Sequence, residues 1–295
     1  MTDYSSQYQA YLRQAEDALA ALCEKYLPES SEVCRAARYS LLGGGKRVRA
    51  VLVLAVCDML KGDMEAAAWF AGALEMVHCY SLIHDDLPCM DNDDFRRGRP
   101  SCHKAFSEST AMLAGDALLT AAFSVLSESP TPDGVRVAAV QELASGAGAA
   151  GGMILGQELD LYHETIPATA GQLLEIHRRK TGALINAAVQ LGAAAAQASA
   201  QVKDRLRQYA FDVGLVFQIV DDVLDVTSTS QQLGKPVGSD EQNNKTTFVT
   251  LYGTEGAMEH AQVINRRACD AMEQEFGEKA AFLVEFARRL LQRQN

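Results

Sequence analysis

An all-α fold is predicted for this chain of 295 residues by three observations. Nearly every long segment spaces its apolar residues with helical rather than alternating periodicity, and Ala, Leu, Glu, Gln and Arg dominate between the breaks. Glycine and proline then punctuate the chain at Pro28, Gly43 to Gly45, Gly62, Pro88, Gly98 to Pro100, Pro130 to Gly134, Pro167, Gly234 to Gly238 and Gly253 to Gly256, leaving room for about ten or more helices. With 48% hydrophobic residues the chain can bury a large core, and no change of composition divides it, so residues 1–295 read as a single domain.

The run from Trp69 to Leu87 reads as one helix on which His78, Ser81 and Asp85 share a face. Pro88 should end it near Asp86 or Leu87, because its ring clashes with the carbonyl four residues earlier. Asp91 would sit at the wrong angle on a continuous helix, but a chain turning at Pro88 can bring it back beside Asp85. The stretch Ala144 to Gly156, ASGAGAAGGMILG, resembles a nucleotide-binding glycine loop only superficially, since no strand precedes it. Its small residues are better explained by close helix packing. From Tyr209 to Val226 the apolar residues leave a single polar stripe of Gln218, Asp221, Asp222 and Asp225, at positions i, i+3, i+4 and i+7 of a core helix.

Two aspartate clusters, Asp85-Asp86 with Asp91 and Asp221-Asp222 with Asp225, therefore end apolar helical runs. Carboxylates this dense repel one another, and burying them uncompensated is prohibitive, so divalent cations or basic partners are required. The first cluster runs directly into Arg96, Arg97 and Arg99, and further cations stand at Lys46, Arg47 and Arg49 and at His177 to Lys180. A solvated charged loop is the usual meaning of an isolated charge run. Two acidic clusters on apolar helices, with separate cationic groups, fit better with paired sites for polyphosphate, one through metal and one through bare cations. His84-Asp85 also resembles the His-Asp pair of metal-dependent phosphohydrolases, but the additional histidines that such a site needs are missing.

A net charge of -11 argues against nucleic acid or an anionic membrane surface as the main partner. Seven cysteines without C-x-x-C spacing give little support for disulfides or zinc. The N-terminal segment has no apolar core of the signal-peptide kind, and the longest apolar run, Ala50 to Cys57, is too short to cross a bilayer, so a soluble cytoplasmic protein without stable membrane insertion is expected.

In order and spacing, GGGKRVRA, HCYSLIHDDLPCMDNDDFRRGRP, HRRKTGALI and FQIVDDVLDVTSTSQQLGK closely resemble the short-chain trans-prenyl diphosphate synthases, bacterial farnesyl diphosphate synthases in particular, from about Tyr39 to Lys245. The resemblance implies an antiparallel helix bundle around a central cavity, the isoprenoid synthase fold, with the two aspartate motifs facing each other across its mouth, and a homodimer. It implies three magnesium ions held by Asp85, Asp91 and Asp221, with Asp86, Asp222 and Asp225 in direct or water-mediated support. Arg96, Lys180 and Lys235 match contacts to the allylic diphosphate, and Lys46, Arg49, His78 and Arg97 match those holding isopentenyl diphosphate. The carbonyls of Lys180 and Thr181, the Thr181 hydroxyl and the Gln218 oxygen match groups that stabilise the allylic cation.

The reaction so implied joins isopentenyl diphosphate to dimethylallyl and then geranyl diphosphate. Tyr80 and Ser81, one turn deeper than Asp85, match the chain-length floor, with Tyr80 stopping the product at fifteen carbons. Two departures stand out: Ala50 replaces a common proline, and Asn92 replaces a common aspartate and occurs also in plant geranylgeranyl synthases. The rivals are a geranylgeranyl or geranyl synthase, a terpene cyclase and a non-catalytic subunit. A cyclase should lack Lys46, Arg49 and Arg97, and a silent subunit should have lost an aspartate motif; this sequence keeps them all.

Overall fold

Thirteen α-helices account for most of the described residues, 3–227 and 245–293, in a computed structural model. In order they are α1 (Tyr4–Tyr26), α2 (Glu32–Leu41), α3 (Val48–Met59), α4 (Met64–Asp85), α5 (Cys102–Ala105), α6 (Glu108–Ser127), α7 (Asp133–Ala147), α8 (Met153–Thr165), α9 (Ala170–His177), α10 (Ala183–Ala195), α11 (Ala200–Thr227), α12 (Phe248–Phe276) and α13 (Ala281–Leu290). A π-helical segment, Arg178–Gly182, joins α9 to α10. The sole sheet among the described residues is a hairpin of two two-residue strands, β1 (Phe95–Arg96) and β2 (Arg99–Pro100), whose turn residues Arg97 and Gly98 both have positive φ. The predicted all-α class holds.

Two compact units divide the chain, Met1–Glu142 with Leu191–Gln197, and Leu143–Gln190 with Ala198–Asn295. Two of the three boundaries fall inside α7 and α10 and the third in the short turn between α10 and α11, so no linker composition marks them in the sequence.

In the first unit α4 is the central element, packed against α1, α2, α3 and α6. Asp63 caps it by accepting hydrogen bonds from the Glu65 and Ala66 amides at 2.9 and 3.1 Å. Gly72 admits α1 closely, since a Cβ there would lie 2.3 Å from a Leu22 methyl. The helix ends at Asp85, as Pro88 requires. By length and composition α4 and α6 could each cross a bilayer although neither is an uninterrupted apolar run; 78% of the apolar window of α4 and 44% of that of α6 are buried in the fold. The run Ala50–Cys57 is the buried middle of α3.

In the second unit α11 packs against α12, the π-helical segment, α9 and α13. The small residues at 144–156 do serve close packing, but they also break the chain between α7 and α8. A Cβ on Gly146 would press on Ala187 at 2.7 Å, and one on Gly156 would strike the Lys180 backbone at 2.1 Å. The expected stop at Gly253 is instead a kink within α12, where φ is 70° and ψ 169°. The Gly234 to Gly238 break lies outside the described residues.

Ala50 has a specific partner. Its amide, one of the unpaired donors of the first turn of α3, donates to Glu75 Oε1 on α4 at 3.2 Å, while Glu75 Oε2 accepts from Arg47 at 3.4 Å. Proline at this position has no N–H to offer the buried carboxylate. Ala50→Pro is expected to lower unfolding free energy by about 1–2 kcal/mol, since a lost bond to a charge outweighs the stiffening of the unfolded chain. Urea denaturation that finds the variant equally or more stable would refute this role for the amide.

Candidate functional site

The first aspartates gather at the C-terminal end of α4. The loop after Pro88 turns back so that the Asp91 amide donates to the Asp85 carbonyl at 2.8 Å, bringing the two residues side by side as the proline break predicted. Asn92 makes the next tie to Leu87 at 3.2 Å with φ of 53°, a left-handed conformation that asparagine tolerates better than most residues. Asp86 points the other way, into the fold. It accepts from Arg96 Nε at 2.9 and 3.2 Å, and Asp93 adds a contact to the same guanidinium at 3.4 Å. Burial pushes the Asp86 carboxyl up despite Arg96.

The glycines of GGGKR serve an arginine. Gly44 and Gly45 adopt φ of 78° and 124°, and a Cβ on Gly45 would lie 3.1 Å from Arg97 Cζ, so the loop wraps the guanidinium, which donates to the Gly44 carbonyl. Arg47, from the same motif, turns inward to Glu16, Glu75 and the Leu41 carbonyl and is structural. Arg49 meets His78 Nε2 at 3.1 Å, and Lys46 is exposed. Desolvation, with Arg49, Arg97, Arg96 and Arg47 nearby, pushes His78 well below the ordinary histidine value, leaving it neutral and able to accept from Arg49. A small cleft beside these groups is lined by Arg96, Arg97 and Arg99 together with Tyr39, Asp86, Leu82, Ile83 and Cys102. Three guanidiniums at its edge suit an anion, while the rest of the lining is mostly apolar.

One turn back along α4, Tyr80 and Ser81 are 5% and 3% exposed. The Tyr80 hydroxyl is buried without a hydrogen-bond partner, its ring meets His84 edge-on at 5.7 Å, and burial, then the Asp85 charge, raise the phenol to about 12. His84 itself reaches the Met112 carbonyl of α6 at 3.0 Å, through a notch that a Cβ on Gly115 would fill. Its ring serves helix packing, and nothing remains of the phosphohydrolase likeness.

In the second unit a chain of hydrogen bonds runs through the polar stripe of α11. The Thr181 hydroxyl donates to Gln218 Oε1 at 2.9 Å, Gln218 Nε2 donates to Asp222 Oδ1 at 3.1 Å, and Asp222 Oδ2 accepts from the Phe248 amide at the start of α12 at 2.9 Å. His177 Nε2 lies 3.6 Å from the same oxygen. Asp221 meets Arg293 at 3.0 Å, and the Arg293 guanidinium lies 4.2 Å over the Phe217 ring. Asp225, four residues on, is buried. Lys180 and Thr181 lie in the π-helical segment, a form that recurs at functional sites because the widened turn redirects carbonyls. Lys235 lies outside the described residues. Among those described, no three His, Cys, Asp or Glu side chains form a ready-made metal cluster.

Residues 30–284 match the polyprenyl synthetase family. The chain belongs to that family. It is similar to the large subunit 1 of a heterodimeric geranylgeranyl pyrophosphate synthase of Arabidopsis thaliana chloroplasts, 45% identical over 276 residues that cover 91% of this chain and 74% of the relative. To a farnesyl diphosphate synthase of Haemophilus influenzae it is 41% identical over 276 residues, 92% of this chain and 93% of the relative. Among solved structures, a Helicobacter pylori geranyltransferase complexed with magnesium and isoprenyl diphosphate superimposes with a TM-score of 0.83 at 34% identity, covering 97% of this chain and 96% of that one. This polyprenyl synthetase is thus a prenyltransferase of isoprenoid biosynthesis.

Sequence reasoning missed Glu75 and Arg293 in these networks, and Asp160, which pairs with Lys245 at 3.3 Å; it named His177 only as one of a run of cations. For Glu75, a buried acid in an apolar helix was itself a hint of a cation, here Arg47.

Because the folded chain holds His78 below its unfolded value, the unfolded chain binds the extra proton, and stability should rise with pH through the window below about 6.5. His78→Gln is expected to flatten this slope, measured by denaturation at a series of pH values. An unchanged slope would show that His78 titrates normally in the folded protein.

Proposed function

We propose that the chain makes (2E,6E)-farnesyl diphosphate by successive head-to-tail condensation of isopentenyl diphosphate with dimethylallyl and geranyl diphosphate. The observation that carries the product length is Tyr80, a buried ring one turn below Asp85 whose hydroxyl has no protein partner. Helical side chains tilt toward the N-terminus, so this ring is suited to meet a growing tail beneath the carboxylates, and another isoprene unit would overfill a packed site.

The donor set fits magnesium, a hard cation that binds through one or two carboxylates plus substrate phosphates rather than in an all-protein cage. Asp85, Asp91 and Asp221, half-buried and oxygen-only, would hold it, with Asp86, Asp222 and Asp225 in support. When bound, magnesium neutralises charge on the diphosphate leaving group. Arg96, Lys180 and Lys235 serve the same oxygens, while Lys46, Arg49 and Arg97 hold isopentenyl diphosphate and neutral His78 orients Arg49. The Thr181 and Gln218 oxygens and the carbonyls at 180 and 181 offer dipoles, not bases, to the allylic cation. Released pyrophosphate is the base for the last proton.

A twenty-carbon product is the second reading, favoured by the 45% identity to the plant geranylgeranyl enzyme and by Asn92. Chromatography of products from labelled isopentenyl diphosphate with each allylic substrate separates the two. Fifteen carbons are expected from the unmodified enzyme, and a twenty-carbon product would favour the rival. Tyr80→Ala should shift the product to twenty carbons or longer with the first condensation intact; a folded variant stopping at fifteen would exclude Tyr80 as the floor. Chelation should abolish turnover and magnesium restore it, and Asp221→Ala should cost several orders of magnitude in rate. Full activity in excess EDTA would overturn the metal assignment.

A further inference from the structure

The Tyr8 hydroxyl, on the first turns of α1, donates to the Lys46 carbonyl at 2.6 Å. Tyr8 is half-buried and lies in line with the buried stripe of Tyr11, Ala15, Leu19 and Leu22, so the packing of α1 on α3 carries its oxygen to the basic loop. Lys46 sits between Gly45 at φ of 124° and Arg47 at φ of 47°, and the left-handed form is costly for a residue with a side chain, so it persists only where the surroundings fix it. The same helix also holds Arg47, with Glu16 accepting from Arg47 Nε at 2.7 Å. The Lys46 carbonyl comes one residue before the first carbonyl of the α3 ladder, that of Arg47, which accepts from the Val51 amide at 2.9 Å. The helix therefore does not fix the peptide plane between Lys46 and Arg47, and the bond from Tyr8 does. The same loop cups Arg97, whose guanidinium donates to the Gly44 carbonyl.

We infer that Tyr8 is a positioning residue for isopentenyl diphosphate, its hydroxyl fixing the peptide plane between Lys46 and Arg47 and with it the direction in which the Lys46 side chain leaves the loop. This rests on the reading of Lys46, Arg49 and Arg97 given above and extends it to a helix that none of the sequence motifs includes. Without the bond that plane can rotate, and the cost of ordering it falls on substrate binding. An ammonium that meets the unreacting diphosphate does so equally before and during the reaction, so the loss appears in KM and not in kcat.

Tyr8→Phe removes one oxygen and keeps the ring, so urea denaturation should find the variant folded. Its KM for isopentenyl diphosphate is expected to rise about 5-fold, the size of one lost hydrogen bond, while kcat and the KM for dimethylallyl diphosphate change less than about 2-fold. Lys46→Met alone should raise the isopentenyl KM further, and adding Tyr8→Phe to it should cost less than about another 2-fold, because Tyr8 acts through Lys46. An unchanged isopentenyl KM in Tyr8→Phe, an equal rise for both substrates, or losses that multiply in the double variant would overturn the assignment. A Tyr8→Phe chain that does not fold would make Tyr8 a purely structural residue and overturn it as well. An isopentenyl KM untouched by Lys46→Met would instead defeat the underlying reading of Lys46, and the inference with it.

Discussion

Carboxylates at the ends of buried helices are the constraint on which this structure depends. Asp86, Asp222 and Asp225 are only 2–3% exposed, and a buried charge survives only where hydrogen bonds or opposite charges meet it. The chain meets Asp86 with Arg96 from the β1–β2 hairpin, which thereby anchors that hairpin to the end of α4. It meets Asp222 with Gln218 and with the first amide of α12, where the helix dipole also favours an anion. Compensation of two aspartates thus fixes two chain segments. Asp85 and Asp221, less buried, are left at the edge of this framework.

Much of this was legible because it is local. The helical extent of α4 and α11, the stop imposed by Pro88 and the return of Asp91 follow from periodicity and from what a proline ring forbids. The glycine motif was visible as a loop, yet its purpose was not, since the φ values of Gly44 and Gly45 answer to Arg97 about fifty residues away. Other misses have the same origin. The turn between α10 and α11 contains neither glycine nor proline and is made by Gln197 at φ of 50°, while Gly253 bends α12 without ending it. Asp160 and Lys245 are separated by 85 residues, and nothing in either's neighbours in sequence announces the other.

Charged residues in the motifs divide by direction rather than by sequence. In GGGKRVR, Lys46 is exposed and Arg49 meets His78, while Arg47 between them is locked to Glu16 and Glu75. Asp85 and Asp86 part in the same way. A count of acids or bases in such a motif overstates the groups available to a ligand, because every second or third one is committed to holding the others in place.

The π-helical turn at Arg178–Gly182 is pressed by Gly156 on α8, and Gly214 on α11 would bring a Cβ within 2.9 Å of the Gly182 backbone. Such a turn carries one residue more than an α-helix needs. Losing that residue would return the stretch to α-helix with the helices on either side near their present orientation, since the widened turn is how the extra residue is absorbed. What would change is the segment itself: the turn that carries Lys180 and Thr181 would close, and their carbonyls would rejoin the regular helical ladder. The helix can thus be shortened here without turning its far end, but not without losing the wide turn.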